Sequence, residues 1–199
     1  MANDTREQFL NTAEALFADR GFYGVSIAAV ADELGLTKQA LLHHFGTKEK
    51  LYGAVLQRIS DDFERQLAEV AATEPDPALH LKTYLMALAG ETVTNPVRTQ
   101  LLMRELLDNK LRAEAATTWY LKSYLETLTT MVSQMPGWAN ATQPEAFSFL
   151  YQLLGAINYY AISQPTLRAI FGAAKALEFE AEFPRSLSDL IEAQCDARR

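Results

Sequence analysis

The sequence predicts an all-α protein with a small N-terminal domain over residues 1–47 and a larger helical domain over residues 48–199. Apolar residues recur at three- and four-residue spacing, and residues that begin or end helices lie between these segments. No run of β-branched residues alternates for long enough to indicate a strand. With 199 residues, of which 49% are hydrophobic, the chain can bury a sizeable core.

The first helices are predicted from caps and apolar spacing. The first runs from about Asp4 to Arg20, and Gly21 can end it in the left-handed conformation. Two short helices follow over residues 26–34 and 38–44, and a much longer one has Thr47 as its N-cap. The long helix carries apolar residues at every fourth position, at Leu51, Val55, Ile59, Phe63 and Leu67.

Prolines and capping residues divide the remainder of the chain. Asp76-Pro77 suits an N-cap followed by the first residue of a helix, and Asn95-Pro96 repeats that arrangement. Thr142 and Glu145 have the spacing of a capping box. Helices are therefore predicted from Pro77, from Pro96, over residues 110–134, from Pro144 to Gln164, and from about Pro184.

The formal net charge of -7 repels the phosphate backbone of nucleic acids at long range. Its distribution is uneven, because residues 1–35 carry two basic and six acidic side chains. Residues 36–50 instead carry Lys38, Lys48 and Lys50 against Glu49. A nucleic-acid contact would therefore be a small basic patch on an acidic protein, with weak non-specific binding.

Other bulk features point to a cytoplasmic protein. Cys195 is the single cysteine, so neither a disulfide nor a cysteine metal site can form within one chain. The first residues lack the basic-then-apolar order of an export signal. Gln152 and Asn158 interrupt the most apolar run, so no membrane span is expected. No metal or cofactor is expected either.

Residues 26–45 have the spacing of a helix-turn-helix, in which two short helices cross at a tight turn. Ala31 is small where the helices approach, Gly35 can take a positive φ, and Thr37 can cap the second helix. The shared core would consist of Val30, Leu34, Leu36, Leu41 and Phe45. The second helix would present its outer side to the DNA major groove, with Lys38, Gln39, Ala40, His43 and His44.

This part of the chain resembles the N-terminal domain of the tetracycline-repressor (TetR) family over about its first quarter. The matching residues are Phe17–Gly21, Val30-Ala31, Leu34-Gly35 and Leu41–Leu51, the last following roughly the pattern L-Y-x-H-F-x-x-K-E-x-L. The sequence departs at Leu42, where the family commonly has a tyrosine whose hydroxyl contacts a phosphate. The resemblance implies a three-helix DNA-binding domain followed by a helical domain that binds a small molecule and dimerises.

By this resemblance, Lys48 meets a phosphate at the start of the long helix, while Lys38 and Gln39 reach base edges. Ser26 and Thr37 can donate to phosphates, although helix capping alone also explains a hydroxyl at both positions. The lysines could instead be solvated charges, and one histidine could pack at the domain junction. The predicted DNA-binding residues are Ser26, Thr37, Lys38, Gln39, Ala40, His43, His44 and Lys48.

An effector site is expected in residues 48–199. Aromatic side chains gather on helices that the family arranges around its pocket, although ordinary core packing also explains them. The predicted effector-binding residues are Tyr84, Trp119, Tyr120, Tyr124, Phe147 and Tyr151. No charged residue stands out as a counter-ion, which favours an apolar or amphipathic effector.

The helices from Pro144 and from Pro184 are the expected dimer interface. The first carries more apolar surface than the outer helix of a monomer, and Gly155-Ala156 lets another backbone approach. The predicted interface residues are Tyr151, Leu154, Gly155, Asn158, Leu187, Leu190 and Ile191.

Together these observations predict a homodimeric, sequence-specific transcriptional regulator that is released from double-stranded operator DNA by a small molecule. The chain has no Gly-rich phosphate loop, H-E-x-x-H or G-x-S-x-G motif, so catalysis is not expected. The alternative is a helical adaptor that binds protein and keeps a vestigial helix-turn-helix. The acidic net charge of the chain and Leu42 would suit the adaptor. Salt-dependent retention on specific DNA would distinguish the regulator from the adaptor.

Overall fold

A computed structural model describes residues 2–108 and 119–196. These ranges contain nine α-helices and no β-strand, so the predicted all-α fold is confirmed. The helices are α1 (Ala2–Arg20), α2 (Ile27–Glu33), α3 (Lys38–Phe45), α4 (Lys48–Ala71), α5 (Pro77–Thr94), α6 (Val97–Asp108), α7 (Lys122–Gln134), α8 (Gln143–Phe171) and α9 (Ala173–Asp196). A short 3-10 turn, Pro136–Trp138, precedes α8.

The first of two compact units combines Met1–Asp62 with Val97–Leu121. In it α1 packs against α2 and α6, and α2 packs against α3. Phe9, Phe17 and Leu41 are buried in this unit, and burying side chains of this kind stabilises a fold by about 1.5–3 kcal/mol each. Helix α1, against which α2 packs, therefore rests on α6, which comes from a distant part of the sequence.

The second unit combines Phe63–Pro96 with Lys122–Arg199. In it α5 packs against α7, α8 and α9, and α8 also packs against α7 and α9. Its buried side chains are mostly aliphatic and aromatic. The predicted domain division after residue 47 concerns function rather than packing, and it stays a prediction.

The residues predicted to begin helices α4, α5 and α8 do so. Thr47 and Asp76 each accept a hydrogen bond from a backbone amide of the first turn, at 3.2 and 2.8 Å. The Glu145 carboxylate accepts one from the Thr142 amide at 2.8 Å, as a capping box requires. Each cap satisfies an amide that has no partner within its helix.

One predicted helix is shorter than expected. The prediction covers residues 110–134, whereas α7 begins at Lys122, after the non-helical residues Trp119 and Tyr120. Residues 109–118 lie outside the described residues, so the prediction is not tested there. The helix ends at Gln134, before Pro136, as predicted.

Two of the predicted helix boundaries are wrong, namely the end at Gln164 before Pro165 and the start near Pro184. Helix α8 continues through Pro165 to Phe171, and Pro184 lies inside α9. A proline removes one amide donor from a helix, and that single loss ends neither helix here. The break falls instead at Gly172, whose φ of 80° is a conformation that favours glycine.

Candidate nucleic-acid interface

The turn between α2 and α3 has the geometry of a helix-turn-helix. The Ala31 carbonyl accepts hydrogen bonds from the amides of Leu34 and Leu36 at 3.1 and 2.9 Å. Gly35 has a φ of 65°, which a residue with a side chain rarely adopts. Ala31 is fully buried, as expected where two helices approach closely.

Ser26 and Thr37 both cap helices. Ser26 Oγ accepts a hydrogen bond from the Ala29 amide at 3.0 Å, and Thr37 Oγ1 accepts one from the Ala40 amide at 3.1 Å. Both capping residues are exposed. Because a hydroxyl that accepts through its oxygen still has a proton to donate, capping does not prevent either residue from contacting a phosphate.

The outer side of α3 carries three exposed polar side chains, Lys38, Gln39 and His43. Ala40 lies between Gln39 and His43 in the sequence and is half-buried. Its methyl group can make no polar contact. His44 is also half-buried, and its ring lies 5.8 Å from the Phe9 ring of α1. One histidine of the pair therefore packs against α1, while the other remains accessible to DNA.

Lys48 is held in place at the start of α4. Its Nζ atom lies 4.4 Å from the centroid of the Phe22 ring. Burial lowers the pKa of Lys48, and the neighbouring Glu49 carboxylate acts in the opposite direction. The face of an aromatic ring stabilises a cation, and a helix N-terminus attracts an anion. The predicted phosphate contact thus has a preorganised positive charge.

A charge network that the sequence analysis missed links α1, α4 and α6. Glu14 is buried and pairs with Arg58 and, at 3.3 Å, with Arg98. Arg98 also pairs with Asp62 at 2.6 Å. Although burial opposes it, the two carboxylates raise the pKa of Arg98. The network fixes the helix that supports the helix-turn-helix.

Arg104 of α6 supplies a cation to the C-terminal end of α1, which the sequence analysis also missed. Its Nε and Nη2 atoms donate to the carbonyls of Ala18 and Asp19 at 2.7 and 2.6 Å. The last carbonyls of a helix lack partners within it and carry partial negative charge, so a guanidinium is favourable there. Helix α6 is therefore part of the DNA-binding unit's framework.

Two of the predicted effector residues, Tyr84 and Tyr124, meet in the second unit. Their hydroxyl oxygens are 2.9 Å apart, and both rings are buried. The Tyr124 ring also lies 5.0 Å from the Phe63 ring. Burial raises the pKa of both tyrosines above their usual range, so each hydroxyl keeps its proton.

The other predicted effector residues lie elsewhere. Trp119 and Tyr120 belong to the first unit, where the Tyr120 carbonyl accepts a hydrogen bond from Ser60 Oγ at 2.7 Å. Phe147 and Tyr151 stack on the exposed side of α8, with ring centroids 5.2 Å apart. The six predicted residues therefore fall into three groups.

A surface groove of about 400 Å³ lies in the second unit, between the 3-10 turn, the start of α8 and the end of α9. Trp138, Phe149 and Leu190 are among its lining residues. None of the six predicted effector-binding residues lines it. Leu190, which is predicted for the dimer interface, is one of the residues that line this groove.

The predicted dimer residues divide into a buried and an exposed set. Leu154, Leu187 and Ile191 are buried, whereas the exposed members are Tyr151, Gly155 and Leu190. Asn158 is half-buried, and its Nδ2 atom donates to the Leu154 carbonyl at 2.7 Å. Beyond the nearby backbone of α8 itself, no described atom lies within 4 Å of where a Cβ atom at Gly155 would be. The exposed face of α8 is therefore open around Gly155.

Among the described side chains, those of residues 4–107 and 119–194, no cluster of three or more His, Cys, Asp or Glu residues could hold a metal ion. No helix in the described part of the chain combines the length and hydropathy needed to cross a bilayer. The histidines do not converge, since His43 and His44 are neighbours on α3 and His80 Nε2 lies 3.0 Å from the Leu67 carbonyl.

The amino-acid sequence of this chain is similar to those of known bacterial regulatory proteins. Residues 9–55 match the profile of bacterial regulatory proteins of the tetR family. The HTH-type transcriptional regulator RutR of Escherichia coli K12 is 25% identical over 173 residues, which cover 84% of this chain and 79% of RutR. The activator FasR of Mycolicibacterium smegmatis is 33% identical over 85 residues, or 43% of this chain and 39% of FasR.

A solved structure shares the fold. AibR in complex with isovaleryl coenzyme A and operator DNA gives a TM-score of 0.61 at 22% identity, covering 78% of this chain and 85% of AibR. The helix-turn-helix and the accessible side of α3 define a DNA-binding transcriptional regulator. Residues 9–55 form a helix-turn-helix domain of the tetR family of bacterial regulatory proteins, and the chain is similar to regulators with this domain over most of its length. The family and the DNA-binding function predicted from the N-terminal residues are thus confirmed.

Proposed function

We propose that this regulator is a homodimeric repressor that acts in the cytoplasm, catalyses no reaction, and leaves its operator when a small molecule binds. The observation that carries the proposal is the outer side of α3, where Lys38, Gln39 and His43 are exposed beside a framework fixed by α1 and α6. Lysine can donate to guanine O6 and N7, and glutamine can form two hydrogen bonds with adenine. These two residues are proposed to contact bases, and Lys48 a phosphate.

Selection of bound sequences from random duplex DNA tests the DNA-binding proposal. Gln39→Ala should relax the preference at one base pair, at a cost of about 1–3 kcal/mol on the selected operator. Lys48→Ala should weaken binding to all sequences and reduce the salt slope by about one unit per monomer. Equal, sequence-independent losses from both variants would contradict the assignment, and absence of any enriched site would favour the adaptor alternative.

Repression is proposed because it is the usual mode of the family, although FasR is described as an activator. A reporter gene placed behind the selected operator measures the sign directly. Expression should rise when the regulator is removed or when the effector is added. A fall on removal of the regulator would make the protein an activator and leave the DNA-binding proposal intact.

The homodimer is proposed to form through the exposed face of α8. Gly155→Leu places a side chain in open space within one chain, so the fold of the monomer should tolerate it. In a dimer the same side chain would hold the two α8 helices apart, and light scattering should report a monomer with weakened operator binding. Gly90→Leu is the matched control, because Gly90 is also an exposed glycine within a helix with open space around it. A dimeric Gly155→Leu protein with normal operator affinity would move the interface elsewhere.

The effector is proposed to be an apolar or amphipathic molecule that binds beside Tyr84 and Tyr124, the two predicted aromatic residues that meet in the second unit. AibR, whose structure contains both isovaleryl coenzyme A and operator DNA, supports an effector with an apolar group. Tyr84 and Tyr124 satisfy each other's hydroxyl groups, so an effector could replace this bond only with a polar group of its own. To release DNA, it must bind the DNA-incompetent conformation more tightly, and each tenfold preference is about 1.4 kcal/mol.

A compound screen tests the effector proposal. Hydrophobic and amphipathic compounds are ranked by the rise in melting temperature, and operator affinity is measured with each hit. Tyr84→Phe and Tyr124→Phe should each reduce both the thermal shift and the release of DNA. If a confirmed effector acts equally well on both variants, it binds elsewhere.

A further inference from the structure

Tyr23 is the exposed aromatic residue of the helix-turn-helix region. Its side chain is 59% exposed, and no other large hydrophobic residue within residues 4–47 is exposed. The ring lies edge-on to Phe22, with centroids 5.2 Å apart and an interplanar angle of 86°. Its hydroxyl has no hydrogen-bond partner within the described residues. The phenol is thus held in place while its donor remains available.

Tyr23 and Lys48 share one support. Phe22 has the Lys48 ammonium over its ring, 4.4 Å from the centroid, and the Tyr23 ring packed nearly perpendicular to its own, with centroids 5.2 Å apart. Phe22 is itself buried and lies 5.1 Å from the Tyr52 ring of α4, so it cannot move independently. A neutral donor and a cation are therefore fixed on the same side chain, next to the start of α4.

Glu49 is the acidic residue next to Lys48, and its negative charge opposes the positive charge of Lys48. The pKa of Glu49 is lowered by hydrogen bonds from its own backbone amide and from Thr47, which draw its carboxylate towards the start of α4. Lys48 retains its position over Phe22.

We propose that the Tyr23 hydroxyl donates a hydrogen bond to the operator backbone beside the phosphate that Lys48 contacts. This inference rests on the proposed DNA contact of Lys48. Tyrosine hydroxyls are among the groups that bind phosphate oxygens and so set the register of a protein on DNA. Consecutive phosphates of one strand are about 3.4 Å apart along the axis, so two groups that pack on one ring are close enough to contact neighbouring phosphates.

The experiment compares Tyr23→Phe with the unchanged protein on the selected operator and on an unrelated duplex. The variant keeps the ring against Phe22 and removes only the donor, so its melting temperature should not change. Affinity should fall about tenfold on both duplexes, as for a lost hydrogen bond to a charged group. The salt slope should stay the same, because a neutral hydroxyl displaces no counterion, whereas Lys48→Ala should reduce it.

A change in the DNA identifies the contacted group. Replacing operator phosphates one at a time by neutral methylphosphonates should reveal one position, next to the position sensitive to Lys48→Ala, where Tyr23→Phe no longer matters. Thr130→Ala is the control, since it removes an exposed hydroxyl from α7 of the other unit. Unchanged affinity of Tyr23→Phe overturns the inference, and so does a loss confined to the selected sequence, which would indicate contact with a base. Failure to select any operator overturns the proposed function instead.

Discussion

The two units of this regulator are stabilised differently. In the unit that contains the helix-turn-helix, the buried carboxylate of Glu14 joins arginines from two other helices, and Arg104 caps the end of α1. In the second unit, ion pairs between helices such as Lys82–Glu192 lie at the surface, and the core is largely aliphatic and aromatic. Both units have an apolar core, and the first unit adds directional polar contacts between its helices to that core.

This difference matches what each unit has to do. Hydrogen bonds and ion pairs require particular distances and angles, so they fix how helices lie against one another. Contacts with base edges need such a fixed geometry. Apolar cores tolerate repacking when total volume is kept, which suits a unit proposed to admit an effector. We therefore expect single polar or turn substitutions to cost more unfolding free energy in the first unit.

The largest loss is expected from Glu14→Ala. Removing the buried carboxylate leaves Arg58 and Arg98 without their shared partner, and breaking such a network costs about 3 kcal/mol. Urea unfolding measures the change. Glu7→Ala is the control, because Glu7 also pairs with Arg58, at 3.4 Å, but is half exposed and should contribute less than about 1 kcal/mol. Similar losses from the two variants would mean that burial of the network is unimportant.

The next largest loss is expected from Gly24→Ala, in the turn between α1 and α2. A Cβ atom there would lie far inside contact distance of the Arg20 carbonyl oxygen, so the backbone must move. Overpacking of this kind costs about 1–3 kcal/mol. Gly90→Ala in α5 meets no neighbouring atom and should instead stabilise by about 0.5–1 kcal/mol. Thermal unfolding of both variants checks the contrast, which would disappear if Gly24→Ala were neutral.

A smaller, pH-dependent effect is expected from the Tyr84–Tyr124 pair. Tyr84→Phe leaves the Tyr124 hydroxyl without its partner and should cost about 1 kcal/mol at pH 7. Burial raises the pKa of both tyrosines in the folded state, so their contribution is complete below about pH 10, the ordinary tyrosine pKa. It is lost as the pH rises further towards the folded-state values. Urea unfolding from pH 8 to 11 should show a flatter decline for the double variant Tyr84→Phe/Tyr124→Phe, and parallel declines would contradict this account.

The smallest change in stability is expected from Thr37→Asp, which separates capping from DNA contact. Aspartate is at least as good an N-cap as threonine, so the unfolding free energy should change by less than about 0.5 kcal/mol. The carboxylate would nevertheless repel a phosphate, and operator affinity should fall more than tenfold at low salt. Thr37→Ala removes the cap, so its unfolding free energy should fall by about 1 kcal/mol. Normal operator binding by Thr37→Asp would leave Thr37 as a cap alone.

Short-range features of this chain were predictable because their causes lie within one turn of backbone. Thr37 and Asp76 cap the helices that follow them, and Gly35 takes the expected positive φ. The proline positions misled because Pro165 and Pro184 each remove only one hydrogen bond, and both helices continue through them.

The charge network and the aromatic groups could not be predicted in the same way. Glu14 is 44 residues from Arg58 and 84 from Arg98, so no spacing rule relates them. Aromatic residue type does not distinguish a buried side chain such as Tyr84 from an exposed one such as Tyr151. Which of them lies in a core depends on how the helices pack, and that is settled by the whole unit rather than by any one segment.

The discontinuous sequence of the first unit affects how it is made and how it can be engineered. During synthesis the helix-turn-helix leaves the ribosome before α6, so Glu14 has Arg58 available but not Arg98 until α5 is complete. A fragment that stops at Pro96 would contain every residue of the motif without the helix that braces it. Swapping DNA specificity between regulators of this kind should therefore transfer Val97–Leu121 together with the N-terminal segment.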